Sequence, residues 1–362
     1  MLELARILAG PWAGQLLADL GAEVIKVERP GSGDDTRAWG PPFAADGSAA
    51  YFHGCNRGKS SVSIDLASAE GQARVRALVR DADILIENFK IGGLARYGLD
   101  YASLAAVNPR LIYCSITGFG QDGPYAGRAG YDFMIQAMGG IMDLTGEPDG
   151  APQKIGVAFA DIFTGVYAST AILAALRGRE ATGVGCHIDM ALLDVQVAVL
   201  ANQAMNYLVG GAVPHRLGNA HPNIAPYQSF AVADGHVVVA VGNDAQFQRL
   251  CALLGLAEEE RFATNADRVG NREALTGVLA RAIALRRRDE LLAALAAAGI
   301  PAGPINDVAE VFADPQVIAR GLRIAPGGVP GIASPIVIDG RRQVAAGASP
   351  ALGDGDRGCD KI

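Results

Sequence analysis

One carboxylate interrupts a stretch that is otherwise apolar, small or hydroxylic: GVAFADIFTGVYASTAILAAL, from Gly156 to Leu176, holds Asp161 and no other charge. Two chemistries suit such a residue. Ile162, Phe163, Val166, Tyr167, Ala171 and Ile172 follow a helical period behind it, with Gly178 as a stop, so the carboxylate can accept the first free amides of a helix as an N-cap. It can also be a nucleophile. Apolar neighbours strip its hydration and nearby amides can stabilise the oxyanion that forms when it attacks an acyl group. The two roles are compatible.

Other residue types gather at recognisable turns. In GYDFMIQAMGGIMDLTGEPDG, Asp132 follows Tyr131 and Gly139-Gly140 interrupts a helical stretch. Paired glycines either let backbone amides approach a ligand or mark a close crossing of two elements. In VIKVERPGSGDDTRAWGPPF a strand ends at Glu28, and Arg29 and Arg37 follow. An acidic residue in that place binds ribose in nicotinamide enzymes, but the preceding turn AGPWAG lacks the G-x-G-x-x-G spacing, so a nicotinamide oxidoreductase is the lesser reading. Arg57 and Lys59 in NRGKSS, Lys90 and Arg96 in ENFKIGGLARYG, and Arg128 before Gly130 are each ordinary surface charges when taken singly. Together, at the ends of successive strands of an acidic chain, they suggest a phosphate-bearing ligand. His53, His187, His215, His221 and His236 show no metal-ligand spacing and are read as structural or surface residues.

The elements that must position these groups follow from periodicity. Helix GQLLADLG, strand AEVIKVE, strand SVSIDL, helix AEGQARVRALVRDA, strand DILIENF, helix YASLAAVN and strand RLIYCSITGFG succeed one another at short spacing. That alternation predicts an α/β fold with a doubly wound, mostly parallel, Rossmann-like sheet, whose ligands bind beyond the carboxyl ends of the strands. A large domain is expected over 1–205. Pro-bounded GNAHPNIAPYQSFAVADGHVVVAVGN then leads, through two strands around Ala233-Asp234-Gly235 and three helices, into a smaller α+β domain over 222–318. Residues 319–362, with strand-like PIVIDG, are expected to return to the large domain and end as a tail.

Composition sets bounds on function. The 362 residues are 50% hydrophobic and 19% charged, enough for large cores, and the net charge of −7 argues against a nucleic-acid or anionic-membrane surface. Five scattered cysteines form no C-x-x-C pair, which fits reduced thiols in a cytoplasm. The apolar start MLELARILAGPWAGQLLADLG lacks a basic leader, and the longest uncharged run, Val195 to Pro214, carries too many amides to face lipid, so a soluble protein is expected.

LAGPWAGQLLADLGAEVIKVERPGSGDDTR, NRGKSSVSIDL, ADILIENFKIGGLARYGLDYASLAAVNPRLIYCSITGFGQDGPYAGRAGYD, ADIFTGVYASTAILAALRGREATGVGCHIDMALLD and AGIPAGPINDVAEVFADPQV resemble, in that order, the family III CoA-transferases. That group includes formyl-CoA and carnitine-CoA transferases and the 2-methylacyl-CoA racemases. The resemblance implies Asp161 as nucleophile and places CoA contacts at Ile7, Arg29, Ile64, Asn88, Phe89, Arg96 and Tyr97. It also implies an interlocked-ring homodimer, acyl-CoA and a free carboxylic acid as substrates, and no permanently bound cofactor.

Departures from the family pattern refine the expectation. Tyr131 stands where racemase members carry a histidine, and proton exchange at an α-carbon needs such a base, so transfer is favoured over racemisation. GNAHPNIAPYQSF replaces the glycine-rich mobile loop of formyl-CoA transferases, which points to dicarboxylates or related acyl groups. The C-terminal ALGDGDRGCDKI lacks the family's usual final helix. A CoA-binding protein without activity is the remaining alternative; the preferred expectation routes transfer through an aspartyl anhydride and an aspartyl-CoA thioester, with Tyr131 and Asp132 in the substrate pocket and Gly139-Gly140 amides at the oxyanion.

Overall fold

The structure, a computed structural model, describes residues 1–356; the expected tail beyond them, with Cys359, lies outside the described residues. In chain order the first part provides β1 (Leu2–Glu3), α1 (Ala9–Asp19), β2 (Val24–Glu28), β3 (Lys59–Ser63), α2 (Ala69–Arg80), β4 (Ile84–Glu87), α3 (Tyr101–Val107), β5 (Ile112–Thr117), α4 (Asp132–Met138), α5 (Phe159–Thr182), β6 (Cys186–Ala191) and α6 (Leu192–Ala198). The six strands form one sheet in the order β3-β2-β1-β4-β5-β6, every pairing parallel. Helices on both faces bury such a sheet twice over, which is why β4 (ILIE) reads as a continuous apolar run ending in a buried glutamate. The strand order reverses between β1 and β4, so the crevice beyond their carboxyl ends is the switch point where doubly wound folds bind ligands.

Local sequence explains the key helices. Pro11 sits in the first turn of α1, where its missing N–H costs nothing. α1 lies against α5 at Gly165, where a Cβ would meet the Ala9 carbonyl at 2.8 Å and Trp12 Cδ1 at 2.9 Å. Ser169 Oγ completes that crossing by donating to the Ala13 carbonyl at 3.4 Å. α5 does not stop at Gly178; it runs on to Thr182 and ends at Gly183, which takes the left-handed conformation (φ 72°) that a helix terminus requires. By length and composition α5 could cross a membrane. Its Ala160, Thr164, Ala168 and Ile172 are nevertheless buried, and Arg179 in its last turns pairs with Asp83 at 2.7 Å.

The edge strand β3 is covered by the chain's own end. Gly355 N–H donates to the Ser61 carbonyl at 2.8 Å, while Asp354 and Asp356 accept from the amides of Ser61 and Ser63 at 2.8 and 3.0 Å. An unpaired edge is thereby closed. At the other edge, His187 on β6 takes a hydrogen bond with Ser115 at 2.9 Å and stacks on Tyr101 at 5.1 Å between ring centroids, a structural role.

The chain divides into two compact units: Met1–Ile141, Lys154–Leu200 and the chain from Pro315 onward form one, Met142–Gln153 and Ala201–Asp314 the other. The second unit holds the antiparallel sheet β7 (Tyr227–Val232), β8 (Gly235–Ala240) and β9 (Ala302–Pro304), with helices α7 (Asp244–Leu254), α8 (Arg272–Ile283) and α9 (Arg288–Ala297). Its core is Phe230, Val237, Val239, Leu250, Leu279, Ile283, Leu291 and Leu295. Against the expected boundaries, the large unit ends at 200 rather than 205, the small unit extends from 201 to 314 rather than 222–318, and residues 142–153 leave the large domain. Local bonds explain the last point: Gly218 N–H donates to the Gly146 carbonyl at 3.1 Å and Arg216 pairs with Asp143 at 2.7 Å.

Candidate active site

Asp161 is not the N-cap of its helix. α5 begins at Phe159, so Asp161 is its third residue, and Ala158 at the cap position offers no side-chain acceptor. Asp132, the first residue of α4, serves instead: its Oδ1 accepts the amides of Ala160 at 2.8 Å and of Asp161 at 3.3 Å. Gln136, one turn on, steadies it by donating to Oδ2 at 2.7 Å and accepting from the Ile155 amide at 2.9 Å. Asp132, expected in the substrate pocket, thus has both oxygens engaged in capping α5 and in the bond from Gln136.

The Asp161 carboxylate has no hydrogen-bond or ion-pair partner among the described residues. Burial, then the Asp132 charge, pushes its pKa up to about 7. Tyr51 lies close enough to feel the same charge: burial and Asp161 push its phenol up to about 12, so it stays a neutral hydrogen-bond donor. Periodicity gave no signal for Tyr51, which occupies the short helix Ala50–His53.

Asp161 opens onto a cleft of about 480 Å³ at the switch point. Its walls come from the turn after β1 (Arg6 to Ala9), the end of β4 (Asn88 to Ile91), and the end of β5 with the loop to Tyr131. A second chamber of about 240 Å³ is lined by Arg29, Ile64 and Tyr97. Arg6, Phe89 and Arg96 line both, so they mark the border. Of the residues singled out in the sequence, Ile7, Asn88, Phe89, Arg96, Tyr131 and Asp161 meet in the first chamber, and Arg29, Ile64 and Tyr97 in the second.

Gly139 and Gly140, expected at the oxyanion, are not among the residues lining this cleft. The Gly139 amide closes the last turn of α4 on the Ile135 carbonyl at 2.8 Å, and its α-carbon abuts the Gln196 side chain of α6 so tightly that no Cβ would fit. Gly140 takes φ 84°, the left-handed turn that joins α4 to the next helix. The pair marks a close crossing.

A buried charge cluster ties down the cleft wall at Ile7. Lys26 Nζ lies 3.0 Å from Glu3 Oε1 and 2.9 Å from Asp34 Oδ2, and Lys59 Nζ lies 2.9 Å from Glu3 Oε1, all four side chains being sealed from solvent. Burial alone would neutralise Lys26, but Glu3, Asp34 and Glu28 raise its pKa overall; burial likewise opposes Asp34 ionisation, and Lys26 with Thr36 outweighs it to hold that carboxyl below the usual range. Asp34 in turn accepts the Ile7 amide at 3.3 Å. Ile7 needs that anchor, since φ 73° is costly for a β-branched residue and here bends the chain from β1 into α1 at the cleft wall.

Other basic residues are held in ion pairs. Arg57 pairs with Asp19 at 2.6 Å and Lys59 belongs to the buried cluster, and neither lines the two chambers. Glu28 is fully engaged by Arg37 at 2.6 and 2.8 Å, Ser61 Oγ at 2.6 Å and the Asp34 amide at 2.8 Å. No lone pair remains for a ribose, which removes the nicotinamide reading. Lys90, Arg96 and Arg128 do face the cleft.

The family model described as CoA-transferase family III matches residues 1–356. A succinate–glutarate CoA-transferase of Agrobacterium fabrum (strain C58) is 58% identical, the match covering 98% of this chain and 92% of that protein. An acetyl-CoA:oxalate CoA-transferase of Acetobacter aceti is 42% identical over 94% of this chain and 88% of that one. Among solved structures, a CAIB/BAIF family protein from Brucella suis superposes with a TM-score of 0.90 at 62% identity, covering 99% of this chain and 97% of that one. With the site's geometry and a match of this length in agreement, the chain belongs to CoA-transferase family III and is an enzyme, a CoA-transferase.

Proposed function

We propose that this enzyme moves coenzyme A between an acyl-CoA and a free dicarboxylate through covalent attachment to Asp161. The observation that carries the reading is the Asp161 carboxylate, unpaired among the described residues, at the wall of a cleft that continues past Arg6, Phe89 and Arg96 into a chamber holding Arg29. A CoA thioester has that form: an acyl group at one end, a phosphorylated nucleotide at the other. Coenzyme A enters as a co-substrate, and dicarboxylates are proposed because the relatives are named for succinate, glutarate and oxalate.

In the first step an Asp161 oxygen attacks the thioester carbonyl, the C–S bond breaks, and CoA thiolate leaves a mixed anhydride. The thiolate then attacks the aspartyl carbonyl and expels the donor acid, giving an aspartyl-CoA thioester. The acceptor carboxylate attacks that thioester, releases thiolate and forms a second anhydride. Thiolate attack on the acceptor's carbonyl completes the new acyl-CoA and frees Asp161. Each step exchanges one bond for another with no net proton, so thioester energy is kept in covalent form. Asp132 contributes by holding the amides at the start of α5 and by raising the basicity of its neighbour; the neutral Tyr51 phenol can donate to a developing oxyanion. Racemisation is disfavoured because the Tyr131 phenol replaces an imidazole at the cleft.

The working unit is proposed to be a homodimer. Phe163, Val166, Tyr167 and Leu173 of α5 are 36 to 45% exposed, an apolar face beside the nucleophile that a second copy, as in the family's interlocked arrangement, would cover. The test of function is a panel of acyl-CoA donors and carboxylic acids read by mass spectrometry. New acyl-CoA should form with C4 to C6 diacids; solvent deuterium entering 2-methylacyl-CoA without any transfer would overturn the reading.

A further inference from the structure

Arg128 is the one basic residue of the first chamber that is neither at the border with the second nor next to a border residue along the chain. Arg6 and Arg96 line both chambers, and Lys90 directly follows Phe89, which also lines both. Arg6 is moreover paired with Asp35 at 2.9 Å, and Arg96 lies over its neighbour Tyr97 at 4.5 Å from the ring centroid. Arg128 instead shares its wall with Gly130 and Tyr131, on the loop that leads from β5 to α4.

That loop is built to hold a guanidinium still. Its carbon stands 4.7 Å from the Tyr125 ring centroid and 5.3 Å from that of Phe119, and the two rings meet edge to face at 5.5 Å. The Arg128 amide closes a turn on the Tyr125 carbonyl at 2.8 Å. On one side the Gln121 amide is fixed to Asp189 at 2.9 Å; on the other, Gly130 and Gly118 cross so closely that a Cβ on Gly118 would stand 2.5 Å from the Gly130 α-carbon. Among the described residues no carboxylate pairs with Arg128. An arginine stacked on aromatic rings, unpaired, on a pinned loop is a preorganised receptor for a planar anion.

We propose that Arg128 is a specificity-determining residue that binds the distal carboxylate of a dicarboxylic acyl group or acceptor while Asp161 reacts at the proximal one. This rests on the transferase reading above and deepens it. The shared chemistry, an anion for a guanidinium, could also come from a CoA phosphate, and the two sources separate cleanly. A phosphate contact is common to every acyl-CoA, whereas a distal carboxylate is present only in diacids.

The experiment compares Arg128→Met, which keeps the apolar stem, and Arg128→Lys with the unaltered full-length enzyme. kcat/KM is measured for succinyl-CoA with glutarate and for butyryl-CoA with valerate, the same chain lengths without the second carboxylate. The dicarboxylate preference, taken as the ratio of the two, should fall on the order of 10- to 100-fold in Arg128→Met and be partly kept in Arg128→Lys. A loss that is equal for both pairs would assign Arg128 to CoA and overturn the proposal, as would an unchanged ratio. Thermal shift gives an independent readout that needs no turnover: glutarate should stabilise the unaltered protein but not Arg128→Met, while free CoA stabilises both. Were the unaltered enzyme to transfer nothing, the transferase reading would fail on its own, and the glutarate shift would still decide the role of Arg128.

Discussion

At the residue scale the site turns on two carboxylates given different tasks by their surroundings. Asp132 is spent on amides; Asp161 is left unpaired and its pKa rises to about 7, through burial first and the Asp132 charge second. On the proposed mechanism the attacking group is the ionised form, so kcat/KM should climb with pH through an acid limb near that value and level off above it. Asp132→Asn keeps an oxygen for the amides but removes the like charge. Its acid limb should therefore move to lower pH, which a pH profile of kcat/KM reads directly; a limb that stays in place would deny the coupling. Asp161 stood out as a lone charge among apolar residues, a pattern that suited a helix cap as well as a nucleophile; only the family resemblance pointed to the second. Its capping partner was not legible, since 29 residues of chain separate Asp132 from Asp161 and nothing in the local pattern announces that they meet.

At the element scale, glycines rather than side chains set the closest approaches. Gly165 brings α1 onto α5 and thereby fixes the turn holding Ile7 relative to the helix holding Asp161. Gly165→Val would force backbone and Trp12 apart, and a loss of about 1–3 kcal/mol is expected in denaturant unfolding. The Gly139-Gly140 pair was open to two readings in the sequence; the close crossing at Gly139 could not be read there, because the fit against Gln196 depends on α6, nearly sixty residues away. The strands and most helices were legible from period alone: β2, β4 and β5 fall inside the expected runs, and the hairpin of β7 and β8 forms around Ala233-Asp234. What period could not supply was the buried set of Glu3, Lys26, Asp34 and Lys59, charges that read as surface residues until four distant segments converge.

At the scale of the whole molecule, the sheet order places the turn after β1 and the end of β4 side by side, so that Ile7 and Asn88 line one cleft, and the crossing of α1 and α5 brings Asp161 to it. The exposed apolar face of α5 carries a further expectation. Phe163→Asp or Leu173→Asp should shift the protein from dimer towards monomer in sedimentation experiments and lower activity with it; an unchanged sedimentation profile would mean that α5 is not the interface. The most direct measurement of the central claim is a brief reaction with acyl-CoA labelled in the acyl group or in CoA, quenched in acid and digested. The account predicts that the peptide containing Asp161 carries the added mass of acyl group or of CoA, and that Asp161→Asn, with turnover reduced on the order of 10⁴-fold or more, carries neither. Product accumulating while that peptide stays unmodified would contradict it.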